Sequence, residues 1–162
     1  MARRFRVTCI ASFLLVTAFQ GLAPASPRQR VPVAERTRGA RHVVVASVAD
    51  VQPRFERNRF GDQLIVSRVR LRIDESLKGP AAREVVMDVE GGTIGDLTLS
   101  VSDLPALKPG ERGVFFLEQI ASGTFRPHRR GLGIMKLSAG DQILEENLRL
   151  SDLRAEVRAA AQ

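Results

Sequence analysis

Alternation of apolar and polar residues with a period of two recurs along this chain, and it limits the possible folds more than any other feature. The clearest case is QLIVSRVRLRID, Gln63 to Asp74, which begins apolar and then alternates. Val69, Leu71 and Ile73 fall on one face and Arg68, Arg70 and Arg72 on the other. Successive side chains of a strand point to opposite faces, so this is the pattern of a half-buried β-strand. REVVMDVE repeats it with Val85, Met87 and Val89 against Glu84, Asp88 and Glu90. DLTLSVSD does so with Leu97, Leu99 and Val101 against Thr98, Ser100 and Ser102. HVVVASVADV (His42 to Val51) and GVFFLEQI are apolar almost throughout, as strands buried on both faces are.

Turn signals separate these segments. Gly61-Asp62 closes the charged stretch PRFERNRFGD, Gly79-Pro80 stops the second strand, and Pro109-Gly110 suits a type II turn. GLGIMKL leads through SAGD into QILEE as a hairpin. Short connections imply antiparallel pairing, and six to seven short amphipathic strands are most simply buried in a small barrel or sandwich. Pro32 to Arg41 predicts a short helix, weakened by Gly39. The tail LRLSDLRAEVRAAAQ places Leu150, Leu153 and Val157 at helical spacing, with Ser151 or Asp152 available as N-cap.

The first residues set the compartment. Arg3, Arg4 and Arg6 precede an apolar run from Val7 to Phe19, and Ala23-Pro24-Ala25 supplies small residues for cleavage. This order is that of a secretory signal peptide over 1–25. The apolar run is well short of the ~20 residues a spanning helix needs, so no transmembrane segment is expected after cleavage. A flexible lead-in follows over 26–32, then a β-barrel-like domain over 33–140, with a final strand and helix over 141–162. The product is expected to be secreted or periplasmic. Cys9, the single cysteine, lies in the leader, so the mature chain is cysteine-free. Disulfides, thiolate chemistry and cysteine-ligated zinc are thereby excluded from it. The formal charge of +7 falls by three, to +4, without the leader's arginines. Export argues against nucleic acid as the partner of this basic chain, leaving acidic proteins and anionic cell-envelope components.

Three stretches invite a functional reading. In GGTIGD, residues 91–96, the glycines could cradle phosphate, but such a loop opens a helix after a parallel strand. Here strand-like alternation flanks both sides, so the glycines are expected to serve a turn or bulge. The arginines of Gln63 to Asp74 could line a polyanion groove, yet the next strand offers Glu84, Asp88 and Glu90 for cross-strand pairing. Basic residues interleaved with aromatics can hold a phosphate and stack on a ring. Arg54, Phe55, Arg57, Arg59 and Phe60 form one such group, read as a loop; the alternative is that its phenylalanines plug a barrel end while the arginines stay solvated. Phe125, Arg126, His128, Arg129 and Arg130 form a second basic loop. Apart from Phe125, these residues are the candidate partner-binding set. His42 and His128 are the only histidines, and no serine sits in a G-x-S-x-G elbow. No catalytic, metal or cofactor residue is assigned, and the chain is read as a non-enzyme.

The order of HVVVASVADVQPRF, VRLRIDESLKG, EGGTIGD, LKPGERGVFFLE, GLGIMKL and LSDLRAEVR resembles that of a group of uncharacterised exported bacterial β-domain proteins, over roughly residues 33 to 158. LKG before a strand and PGE before an apolar strand are also similar to the netrin and metalloproteinase-inhibitor module, an OB-like barrel. The resemblances imply a mainly β chain with a small antiparallel OB-like barrel or sandwich and a C-terminal helix. The leader, the strand pattern and the absence of a catalytic cluster point to a non-catalytic binding or structural module, and the likeness to the inhibitor module supplies a protease-inhibitor-like module as the alternative. Those inhibitors act through a cysteine-bearing N-terminus, which this mature chain lacks, so inhibitory activity does not carry over.

Overall fold

The computed structural model describes residues 31–121 and 123–162, so the expected signal peptide lies outside the described residues. The chain is mainly β. Helix α1 (Val33–Gly39) leads into two long strands, β1 (His42–Arg57) and β2 (Gln63–Lys78), followed by β3 (Glu84–Glu90). A small hairpin, β4 (Gly92–Ile94) and β5 (Leu97–Leu99), comes next. Then come β6 (Arg112–Ala121), β7 (Thr124–Pro127), a 3₁₀ turn over 130–133 and β8 (Ile134–Lys136). Two short strands, β9 (Gln142–Ile143) and β10 (Leu148–Arg149), precede α2 (Leu150–Ala160).

The six-stranded sheet has the order β1-β2-β3-β7-β6-β8, and β6 also pairs with β1, so the pairings return to their first strand. All are antiparallel except β3 with β7, which departs from the expected all-antiparallel sheet. The turn signals describe local connections only. The parallel pair arises because the chain leaves the sheet after β3 and re-enters it at Arg112 after 21 intervening residues.

Curling the sheet this way requires sharp bends, and β1 and β2 supply them as register shifts at Val43/Val44, Val45/Ala46 and Val48/Asp50. The result is two cores that share strands. Val44, Ala46 and Val48 of β1 pack with Leu71, Met87, Phe115 and Leu117 within the curled sheet. Val43 and Val45 face the other way, with Phe116, Met135 and Ile143 under Leu150, Leu153 and Val157 of α2. This two-sided burial is why HVVVASV and GVFFLE read as continuously apolar. It also joins 33–140 and 141–162 through one shared core.

GGTIGD forms β4 and the Gly95-Asp96 turn of the β4–β5 hairpin, with Ile94 opposite Leu97. Gly95 has φ +58 and Asp96 does not share the positive φ, the signature of a II′ turn. Gly92 has φ +138, and a Cβ there would lie 2.5 Å from Ser67 Oγ and 3.1 Å from Pro53 Cβ. So the stretch is a β-connection, as the alternation predicts. DLTLSVSD, however, is strand only over Leu97–Leu99, because the chain then folds back as a loop whose Leu104 and Leu107 pack on the inner core. The α2 N-cap is Arg149; Ser151 and Asp152 lie inside the first turn.

Candidate functional site

The first basic stretch is more strand than loop. β1 continues to Arg57, with Arg54, Phe55, Glu56 and Arg57 opposite Val66, Ile65, Leu64 and Gln63. Pro53 conceals this in the sequence. It is tolerated because β1 has left β6 behind at Ser47 and has β2 on one side only. The loop proper is Asn58 to Asp62. Asn58 Oδ1 accepts from the backbone N–H groups of Phe60 and Asp62, both at 2.9 Å, and Asn58 N–H donates to Asp62 O at 3.0 Å. The tip is therefore ordered by its own asparagine.

Its side chains divide into two groups. The Arg54 guanidinium holds Asp88 with two bonds, 3.2 and 2.9 Å, and reaches Glu56 at 2.8 Å. Burial raises the Asp88 pKa, but hydrogen bonds from Arg54 and Arg68 outweigh it and the net shift is downward. Arg54 is thus committed within the fold. Arg57 and Arg59 form no ion pair among the described residues, and Arg59 sits over the Phe60 ring at 4.7 Å from its centroid. Phe60 is 75% exposed and Phe55 48%, so neither plugs the barrel end.

The second basic stretch has a different use. Phe125 is buried and meets the His42 ring edge-on at 4.9 Å. Arg126 pairs with Glu118, which also meets His128 Nδ1 at 2.9 Å. The His128 and Arg126 hydrogen bonds hold the Glu118 carboxyl below its usual range against the opposing effect of burial. Arg129 pairs with Glu35 of α1 at 2.5 Å. Arg130 Nε reaches Asp103 at 2.6 Å and its Nη2 reaches Glu90 at 3.1 Å. These bonds lower the Asp103 pKa and raise that of Arg130. The turn therefore ties α1, β3 and the 100–108 loop together, its cations neutralised by carboxylates of the same chain. The partners Glu35 and Asp103 are remote in sequence and bear no local signal.

Among the described residues the acidic face of β3 pairs with only one of the β2 arginines. Arg68 stands opposite Asp88, 3.3 Å away, and Arg72 opposite Glu84, while Arg70 turns back to Asp50 on β1 at 3.5 Å. Sequence reading missed a cleft of about 310 Å³ between the inner face of β1–β3 and the β4–β5 hairpin with its following loop. Val51, Val69, Val89, Leu99 and Leu104 line it. Ser67 Oγ donates to Gly91 O at 2.6 Å, and the Thr93 and Thr98 hydroxyls bond each other at 2.9 Å, so these hydroxyls already have partners. Among the described residues no group of His, Cys, Asp and Glu is placed to hold a metal ion. No described helix is long and apolar enough to cross a membrane.

No protein-family model matches this chain, and no curated protein does.

Proposed function

We propose that this chain is an exported, non-catalytic binding module of the cell envelope or extracellular space, and that it meets its partner through the β1–β2 tip. One observation carries the reading. Of the two basic stretches, only this one presents arginines without ion-pair partners among the described residues, beside a ring that is 75% exposed. The strand order supports it. Five strands in the order β1-β2-β3-β7-β6, with one parallel pair and β6 also pairing with β1, support an OB-like reading of the sheet. In that architecture the loop between the first two strands is a habitual contact surface. Export rests on the leader composition at residues 1–25.

Affinity capture from envelope extract tests the contact. Arg57→Ala/Arg59→Ala is expected to lose the partner that wild type retains, and Arg126→Ala is expected to keep it. An unchanged partner set in the double variant contradicts the assignment. Export is checked by the mass of the protein recovered outside the cytoplasm, expected to begin near Ser26. A full-length cytoplasmic species contradicts it.

A further inference from the structure

We infer that the surface the β1–β2 tip fits is an anionic lipid bilayer, an inference that rests on the tip being the contact. Two features have to be satisfied together. Arg57 and Arg59 need negative charge, and Phe60, at the apex and 75% exposed, needs an apolar phase. A free phosphate would satisfy the arginines and leave the ring in water. An anionic membrane supplies both, with phosphate at headgroup level and hydrocarbon directly beneath. A phenylalanine ring can be buried at the headgroup–acyl boundary, and arginine can lie along it with its guanidinium at the headgroups.

The geometry suits this use. The rungs Glu56↔Leu64 and Arg57↔Gln63 extend beyond Val66↔Glu90, the last rung of β2 with β3, and beyond Ser47, the last of β1 with β6. The apex is thus carried past both neighbouring strands. Arg59 lies over the Phe60 ring, so cation and ring enter the interface together. The acids nearby do not cancel the tip. Glu56 is paired with Arg54, and Asp62, bound to the neutral Asn58 Nδ2 at 3.0 Å, offsets one of the two arginines and leaves the tip net positive. Because Asn58 fixes the loop, little ordering is left to be done on contact.

The chain contains neither tryptophan nor tyrosine, so Phe60→Trp makes the tip its own fluorescent reporter. The probe is a vesicle of phosphatidylcholine alone, or of phosphatidylcholine mixed with phosphatidylglycerol. The expected result is a blue shift at position 60 and quenching by brominated acyl chains on the mixed vesicle alone, reversed by high salt. Adding Arg57→Gln or Arg59→Gln is expected to weaken partitioning about fivefold each, and the pair about twenty-five-fold. Leu144→Trp, exposed on another loop, is the control for attachment by any other part of the chain. No shift at position 60, an equal shift at 144, or a shift indifferent to the arginines overturns the inference. If Phe60→Trp stays in water while Arg57→Ala/Arg59→Ala still loses an envelope protein, the partner is a protein and the binding-module reading stands. If neither measurement responds to the tip, both readings fall.

Discussion

Gly92 and Gly95 lie three residues apart in one hairpin and are constrained differently. At Gly95 nothing lies within 4 Å of where a Cβ would be, so Gly95→Ala meets only the cost of positive φ, about 1 kcal/mol. At Gly92 an added Cβ would also press on Ser67, Pro53 and Ile65. Gly92→Ala is therefore expected to lose about 2–3 kcal/mol in denaturant unfolding, and equal losses at the two sites would contradict this packing. His42 is a second single-residue test. Burial, and then the neighbouring charge of Arg41, lower its pKa from 6.5. A folded pKa below the unfolded one means the contribution is fully present above about pH 6.5 and is lost as pH falls through the folded value. Unfolding midpoints are expected to begin falling below pH 6.5 in wild type and to fall less between pH 6.5 and 5 in His42→Gln. The depressed carboxylates Asp88, Asp103 and Glu118 give a later loss, below about pH 4, common to both proteins. Superimposable profiles above pH 5 would refute the role given to His42.

At the level of elements, α1 is held by Val33 in the core beneath α2 and by two charged side chains. Lys78 Nζ donates to Thr37 O at 2.7 Å and Ala40 O at 2.8 Å, closing the helix C-terminus. Arg36, 2% exposed, donates to Leu132 O and Glu146 Oε1. Glu146→Ala strands a buried cation and is expected to cost about 2–3 kcal/mol; Arg36→Met leaves a carboxylate that water can reach and is expected to cost less than about 1 kcal/mol. The reverse order, read from chemical denaturation, would refute that account of the pair. Elements with a local signature were legible in the sequence. Leu150, Leu153 and Val157 announce α2, and all three are fully buried. Elements decided at long range were not. Nothing in TFRP announces that Phe125 stands beside Met87 in a parallel pair, and Pro53 disguised the outer half of β1. The candidate residues were found as two equivalent groups. What distinguishes them is the carboxylates that fold back onto the second, supplied by Glu35, Glu90, Asp103 and Glu118.

For the whole molecule, β1 and β6 serve two cores at once, which makes the helices and the curled sheet one cooperative body. Among the described residues much of the positive charge is spent internally: Arg112 bridges Asp74 and Asp141, and Arg154 and Arg158 of α2 both reach Glu75. A strongly basic composition therefore says less about partners than the two tip arginines do. The tip stands beyond this body as an ordered and exposed projection, and the central claim is that it makes the functional contact. Amide hydrogen exchange with and without envelope material tests this most directly. Added protection over residues 55–62, with 124–133 and the cleft-lining 99–107 unchanged, is the expected result. Protection confined to 124–133 or to the cleft, with the tip exchanging freely, would contradict it.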